Sequence, residues 1–181
     1  MKQITIGKDG FNHIMTGLKG MVAKSETRQP LTQIKLEYAA GDDTITAVAL
    51  DGYKLGKIVV PVWQVSTESF DAIVPVVNRT KGIAVTIKTD EKTISFDHFG
   101  FATETYPIVI GEYVDWKSII PTYEFQYEIS VNPEYLAAAL LSFASADKHP
   151  KAVALKFGSH VNPIQIERGK DMFLVLPCRT D

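Results

Sequence analysis

The sequence predicts an α+β fold in which most of the secondary structure is antiparallel β-sheet. Short segments of alternating apolar and polar residues recur along almost the whole chain, and turn residues separate them. Two segments instead carry apolar residues at helical spacing, and each of them follows a predicted strand. The chain is therefore expected to repeat a β-α-β-β-β unit.

The first unit is predicted to be complete. A strand at 3–7 precedes an amphipathic helix whose apolar positions repeat from Phe11 to Val22. Strands then cover 31–37 and, on both sides of a hairpin, 44–60. This order gives one β-α-β-β-β unit.

The second unit is predicted to lack its helix. A strand at 72–76 is followed by the segment 78–82, which is too short for a stable helix. Alternating strands follow at 83–88, 92–96 and 99–105. The second unit therefore consists of strands alone.

The third unit follows an irregular connector at 107–123. A strand is expected at 125–131, with Asn132 as the N-cap and Pro133 at the first position of a helix. The remaining strands are expected at 152–157, 164–168 and 172–176. This order again gives a β-α-β-β-β unit.

The first and third units share a pattern of apolar residues. A shift of 125 residues superimposes Ile4 on Ile129, and one further unit of similar length fits between them. We therefore expect three related units. Residues 1–123 are expected to form a domain of two units, and residues 124–181 the third unit.

A tight hairpin is predicted in the segment VALDGYKL, which spans residues 48–55. Asp51 and Gly52 are the pair favoured by a two-residue turn with positive φ at both central positions. Tyr53, Lys54 and Leu55 then place a ring, a cation and an aliphatic group beside this corner. They either line a pocket or serve the turn alone, and both interpretations remain open from these residues.

Three motifs, in the same order, resemble those of one protein family. They are DGYKL at 51–55, EYVDWKSIIP at 112–121 and FLVLPCR at 173–179. Together they resemble the bacterial sliding clamp, the β subunit of DNA polymerase III. The resemblance implies half-domains of β-α-β-β-β order, two in each domain, with helices lining a hole for duplex DNA. Units one and two resemble the middle domain of a clamp, and unit three resembles the second half of its last domain.

The resemblance also implies a pocket for short, apolar-tipped peptides of polymerases and other clamp partners. Two residues depart from the family, because Tyr53 replaces a frequent His and Cys178 replaces a larger apolar residue. The matching positions are Leu31, which we place on a strand, and Gly52, Tyr53, Lys54, Leu55, Pro121, Leu174, Val175, Leu176, Pro177, Cys178 and Arg179.

Contact with duplex DNA requires a local basic patch, because the formal net charge of the 181 residues is -2. The candidates are Lys19, Lys24 and Arg28 around the first helix. The alternative is that these cations form an ordinary solvated surface.

Other kinds of site have little support in the sequence. The four histidines lack metal-ligand spacing, no glycine-rich phosphate loop is present, and the single Cys178 excludes an internal disulfide. We expect no metal, no cofactor and no catalytic residue. Since neither a cationic-then-apolar leader nor a long apolar run is found, we expect a cytoplasmic protein without a membrane partner.

Two functions are compatible with these features. The first is a non-catalytic, clamp-like accessory protein of DNA replication or repair that binds partner peptides and duplex DNA. The alternative is a stand-alone peptide-binding module that does not encircle DNA. In either case we expect a homo-oligomer, because an odd number of half-domains leaves one unit with exposed sheet edges.

Overall fold

A computed structural model describes residues 2–24, 26–90, 92–145 and 152–178, and the side chains of residues 26–28 and 145 are not described. The chain divides into two compact structural units, Met1–Ile120 and Pro121–Asp181. The first structural unit comprises the first two repeats predicted from the sequence, which are its two halves, and the second structural unit comprises the third repeat. This division lies three residues before the boundary expected from the sequence.

The alternating segments of the first unit form one antiparallel sheet of eight strands. Its neighbours run in the order β5-β2-β3-β4-β1-β6-β7-β8. The strands are β1 (Lys2–Gly7), β2 (Ile34–Tyr38), β3 (Thr44–Leu50), β4 (Leu55–Gln64), β5 (Phe70–Val74), β6 (Ala84–Thr89), β7 (Thr93–His98) and β8 (Thr103–Pro107). The predicted α+β class with mostly antiparallel sheet is confirmed.

Helix α1 (Lys8–Leu18) packs closely on β4 because small residues face that strand. A Cβ atom added to Gly17 would lie 2.7 Å from the side chain of Ile58, whereas one added to Gly20 would meet nothing within 4 Å. The helix buries Phe11, Ile14 and other apolar residues against the sheet. The absence of a side chain at Gly17 therefore allows the helix to approach β4.

The two halves of the first unit share one hydrophobic core. Ile4 and Phe11 of the first half lie in the same buried cluster as Ile87 and Phe96 of the second half. The rings of Phe11 and Phe96 meet edge to face, with 5.8 Å between their centroids. No helix occurs between β5 and β6, as predicted. Among the described residues of this unit, α1 is therefore the single α-helix.

The second unit contains helix α2 (Pro133–Ser145) and a sheet of three antiparallel strands. The strands are β9 (Ala154–Lys156), β10 (Ile164–Arg168) and β11 (Asp171–Val175), in the order β11-β10-β9. The Oδ1 atom of Asn132 accepts a hydrogen bond from the backbone N–H of Glu134 at 2.8 Å, so the predicted N-cap is confirmed.

The predicted strand at 125–131 is wrong. Within this segment the described structure has one isolated bridge, from Val131 to Pro177, and the N–H of Cys178 donates to the carbonyl of Ser130 at 2.8 Å. The first unit explains the difference, because there the first strand of each half pairs with the second strand of the other half, β1 with β6 and β5 with β2. The second unit contains one half, so its first segment has no such strand to pair with.

Leu31 does not lie on a strand as predicted. It belongs to a 3₁₀ helix, Glu26–Thr32, and β2 begins only at Ile34. Pro30 lies inside this helix, and proline has no N–H to donate to a ladder. The sheet therefore begins after Leu31.

Candidate peptide-binding surfaces and nucleic-acid contacts

The turn between β3 and β4 is held by the side chain of Asp51. Its Oδ1 atom accepts hydrogen bonds from the backbone N–H groups of Tyr53 at 3.0 Å and Lys54 at 3.1 Å. The Nζ atom of Lys54 lies 2.9 Å from Oδ2 of the same carboxylate. These hydrogen bonds, first of all that from the backbone of Tyr53, lower the pKa of Asp51.

The turn differs from the predicted one in its backbone conformation. Within this turn only Gly52 has a positive φ, of 92°, whereas the φ of Asp51 is not positive. Leu50 pairs with Leu55, and the N–H of Asp51 donates to the carbonyl of Lys54, so Gly52 and Tyr53 are the two central residues. The carboxylate supplies the acceptor that holds this turn without a second positive φ. The Tyr53 side chain is 99% exposed.

Two of the predicted pocket residues meet in an apolar cluster beside this hairpin. We call it the Trp116 cluster, and the half-buried Leu55 packs against its buried members. Those members are Leu31, Val48, Leu50, Tyr113 and Trp116. The first and second resemblance motifs therefore come together here, although they are far apart in the sequence.

An ion-pair network lies at the edge of the Trp116 cluster. The indole Nε1 atom of Trp116 donates to Oε1 of Glu37 at 2.9 Å, and the Nζ atoms of Lys35 and Lys117 each lie 3.0 Å from a Glu37 oxygen. Partial burial acts to raise the pKa of Glu37, but hydrogen bonds from Trp116, Lys35 and Lys117 outweigh it and lower the pKa to about 2. Trp116 is thereby fixed in orientation.

The phenol of Tyr113 ties the connector after β8 to the sheet. Its hydroxyl donates to the carbonyls of Gln33 and Val48, both at 3.3 Å. Burial raises the pKa of Tyr113 to about 12, so the hydroxyl remains a donor at neutral pH. Sequence reasoning did not assign roles to Glu37, Tyr113 or Trp116. The alternation of β2, which puts Lys35 and Glu37 on one face, was the available signal.

The C-terminal strand of the second unit borders an open apolar groove. This tail groove has a volume of about 460 Å³. Leu174 and Leu176 are 55% and 71% exposed there, whereas Val175 is buried. The groove is lined by Tyr135, Ala138, Ala139, Ser142, Phe173, Leu174, Val175, Leu176, Pro177 and Cys178.

The predicted peptide-site residue Pro121 does not line the tail groove. Pro121, the first residue of the second unit, is exposed. Arg179 lies outside the described residues.

The predicted DNA contacts lie at the C-terminal end of α1. Lys19 follows the last helical residue and, like Lys24, is exposed. Neither lysine has an ion-pair partner among the described residues. The side chain of Arg28 lies outside the described part of the structure. Two cations of the patch are therefore available to solvent.

The described part of the chain contains no group of three or more His, Cys, Asp or Glu residues placed to hold a metal ion. None of its helices has both the length and the apolar character needed to span a bilayer.

Comparisons with known proteins connect this chain to one fold. No protein-family model matches the sequence, and no curated protein sequence matches it. The structure is similar to the DNA polymerase sliding clamp of Bacillus subtilis, with a TM-score of 0.81 and 18% identity over 97% of this chain and 49% of that one.

Two further structures agree. The DNA polymerase III beta chain of Streptococcus pneumoniae gives a TM-score of 0.78 at 17% identity, over 99% of this chain and 50% of that one. The Pseudomonas aeruginosa sliding clamp bound to griselimycin gives 0.77 at 18% identity, over 98% and 51%. The chain thus spans about half the length of these proteins, and it has the fold of the bacterial DNA polymerase sliding clamp over that half.

Proposed function

We propose that this chain is a clamp-like, non-catalytic accessory protein of DNA replication or repair, acting in the cytoplasm. It binds short apolar peptides of polymerases or other partners and contacts duplex DNA. The observation that carries the proposal is the sliding-clamp fold, which extends over 97% of the chain. The second unit corresponds in this proposal to the second half of the last clamp domain.

The proposed peptide-binding residues are the positions matched to the clamp pocket, all of which except Leu31 lie in the three resemblance motifs. In the first unit, Tyr53 and Leu55 present an exposed ring and a half-buried aliphatic group beside the Trp116 cluster. In the second unit, Leu174 and Leu176 expose apolar side chains at the tail groove. Apolar surface left exposed in this way supports recognition of apolar peptide side chains.

The expected peptide affinity is modest. Full burial of one apolar side chain contributes about 1.5 to 3 kcal/mol, so two anchoring residues contribute about 3 to 6 kcal/mol. Because association itself costs several kcal/mol, we expect a dissociation constant of about hundreds of micromolar or weaker.

The DNA-binding residues are Lys19, Lys24 and Arg28. Exposed cations at one end of a helix bind the phosphate backbone by charge, without reading the base sequence. Because the net charge of the chain is -2, binding has to depend on this local patch. A homo-oligomer is also part of the proposal, because an odd number of half-domains leaves sheet edges without an internal partner.

The second candidate function is a peptide-binding module that does not encircle DNA. The missing helix between β5 and β6 favours it, because that half of the unit presents no second helix to a duplex. A salt titration separates the two functions. Affinity for duplex DNA should fall steeply with added salt, whereas affinity for an apolar peptide should change little. A chain that binds peptide but no duplex at low salt supports the second function.

A further inference from the structure

The core of the second unit is open at one end. A pocket of about 610 Å³ lies there, lined by Tyr123, Phe125, Tyr127, Ile129, Leu155, Phe157 and neighbouring residues, and we call it the open core end. Tyr123 and Phe125 are 67% and 69% exposed. So much exposed aromatic surface beside a small core indicates a surface that another chain covers.

The strand edges at this end are also unpaired. β9 pairs with β10 alone among the described strands. The segment 125–130 has no strand partner in the described structure. An unpaired edge of this kind accepts a strand from another chain.

The first unit of the same chain shows what covers such an end. There β1 of one half pairs over six residues with β6 of the other half, and β5 pairs over five residues with β2. The first strand of each half thus pairs with a strand of the other half, and the buried residues of both halves form one cluster. The second unit holds one half, so a second half is the element that would complete it.

The register of that pairing can be transferred to the second unit. Ile4 of β1 corresponds to Ile129, and the β6 sequence AVTIK at 84–88 corresponds to AVALK at 152–156. In the first unit Gln3 lies opposite Lys88 and Ile4 opposite Ile87. The same register places Glu128 opposite Lys156, Ile129 opposite Leu155 and Tyr127 opposite Phe157.

We propose that two copies of this chain complete each other through their second units about a two-fold axis. The segment 127–131 of each copy forms a strand on the β9 edge of the other copy. The transferred register pairs a carboxylate with an ammonium group and apolar residues with apolar residues, and the symmetry repeats each pair. Lys156 also forms an ion pair with Glu167 of its own chain, but its side chain is 60% exposed and an ammonium group has three donors.

This pairing supplies an interface for the homo-oligomer of the proposed function. It needs neither DNA nor a partner peptide. Dimerisation can therefore fail while peptide binding is retained, and peptide binding can fail while the dimer is retained.

Charge reversal tests the pairing in solution. Gel filtration with light scattering should show the full chain as a dimer at about tens of micromolar. Glu128→Lys and Lys156→Glu should each raise the dimer dissociation constant about tenfold, because each puts two pairs of like charges opposite one another. The two changes combined in one chain should restore the dimer. Lys170→Glu, in the exposed turn before β11, is the matched control and should leave the dimer unchanged.

Site-specific disulfide formation tests the register. In a Cys178→Ser background, one chain carries Glu128→Cys and another carries Lys156→Cys. Directly opposite residues of antiparallel strands have Cα atoms about 4.5 to 5.5 Å apart, which a disulfide spans. The oxidised mixture should form a linked dimer of the two different chains, whereas a mixture of Glu128→Cys with Lys170→Cys should not. A monomeric wild type, including one that accepts an extended peptide at this end, overturns the proposal, as does a dimer unaffected by the charge reversals.

Discussion

The carboxamide of Asn12 is hydrogen-bonded to both backbone groups of Thr80. Its Oδ1 atom accepts from the N–H of Thr80 at 2.8 Å, and its Nδ2 atom donates to the carbonyl at 3.2 Å. Both residues are buried. Thr80 lies in the segment between β5 and β6, where the first half of the unit has helix α1 at the corresponding place. This side chain of α1 therefore holds the helix-less segment in position.

Asn12→Ala should be strongly destabilising. It removes two hydrogen bonds and leaves the N–H and C=O groups of Thr80 buried without their partner, at a cost of about 2 to 4 kcal/mol in the free energy of unfolding. Urea unfolding followed by circular dichroism measures the change. His13→Ala, on the exposed face of the same helix, is the control and should change stability by less than about 0.5 kcal/mol. Equal stability of the two variants would show that Asn12 does not hold this segment.

The Glu37 network should make stability depend on acid pH. Because the pKa of Glu37 in the folded protein is lowered from 4.5 to about 2, its contribution is fully present above pH 4.5 and is lost as the pH falls towards 2. Relative to Glu37→Gln, the wild type should lose about 1 to 2 kcal/mol more unfolding free energy over this range, since solvent screens the partly exposed lysines.

The measurement is a series of denaturant titrations between these pH values. Glu68→Gln, which alters an exposed carboxylate of the same unit, should follow the wild-type curve. A Glu37→Gln curve parallel to that of the wild type would remove the network as a source of acid sensitivity.

Duplex binding should depend on the end of α1. Changing Lys19 and Lys24 together to Glu should abolish the binding of short duplex DNA in a mobility assay without changing the fold. The matched control changes the exposed Lys81 and Lys92 to Glu and should retain binding. If both double variants bind alike, α1 is not the DNA surface.

Local sequence patterns predicted most of the fold. Alternating segments located the strands, and Asn132 with Pro133 identified the start of α2, because both signals act within a few residues. Leu31 was placed on a strand because its apolar pattern continues into β2, and the effect of Pro30 on the ladder was not recognised.

Other features depend on contacts between distant parts of the chain. The segment 125–131 has strand propensity, but a strand needs a neighbour along its length, and in the described part of its own unit the only pairing is the bridge from Val131 to Pro177. Trp116 and Glu37 are 79 positions apart, and Asn12 and Thr80 are 68 apart. Single-sequence periodicity carries no information about such pairs, so the network and the Asn12 contact were found only in the structure.

Calorimetry can measure whether the chain binds an apolar peptide, as the proposed function requires. Calorimetry with a short peptide that carries two apolar anchoring residues should detect weak binding by the wild type, with a dissociation constant of about hundreds of micromolar. Leu55→Asp and Leu176→Asp should each eliminate binding, because each places a charge on apolar surface that the peptide would cover. Point substitution is preferable to truncation after Val175, because truncation would remove two contacts within the second unit. Pro177 pairs with Val131 in a β-bridge, and the N–H of Cys178 donates a hydrogen bond to the carbonyl of Ser130.

The matched control is Leu141→Asp, at an exposed leucine of α2 that does not line the tail groove. We expect binding by the wild type, unchanged binding by Leu141→Asp, and no binding by the other two variants. A wild type that binds no such peptide, or Leu55→Asp and Leu176→Asp proteins that bind it undiminished, would show that these residues do not form a peptide-binding surface.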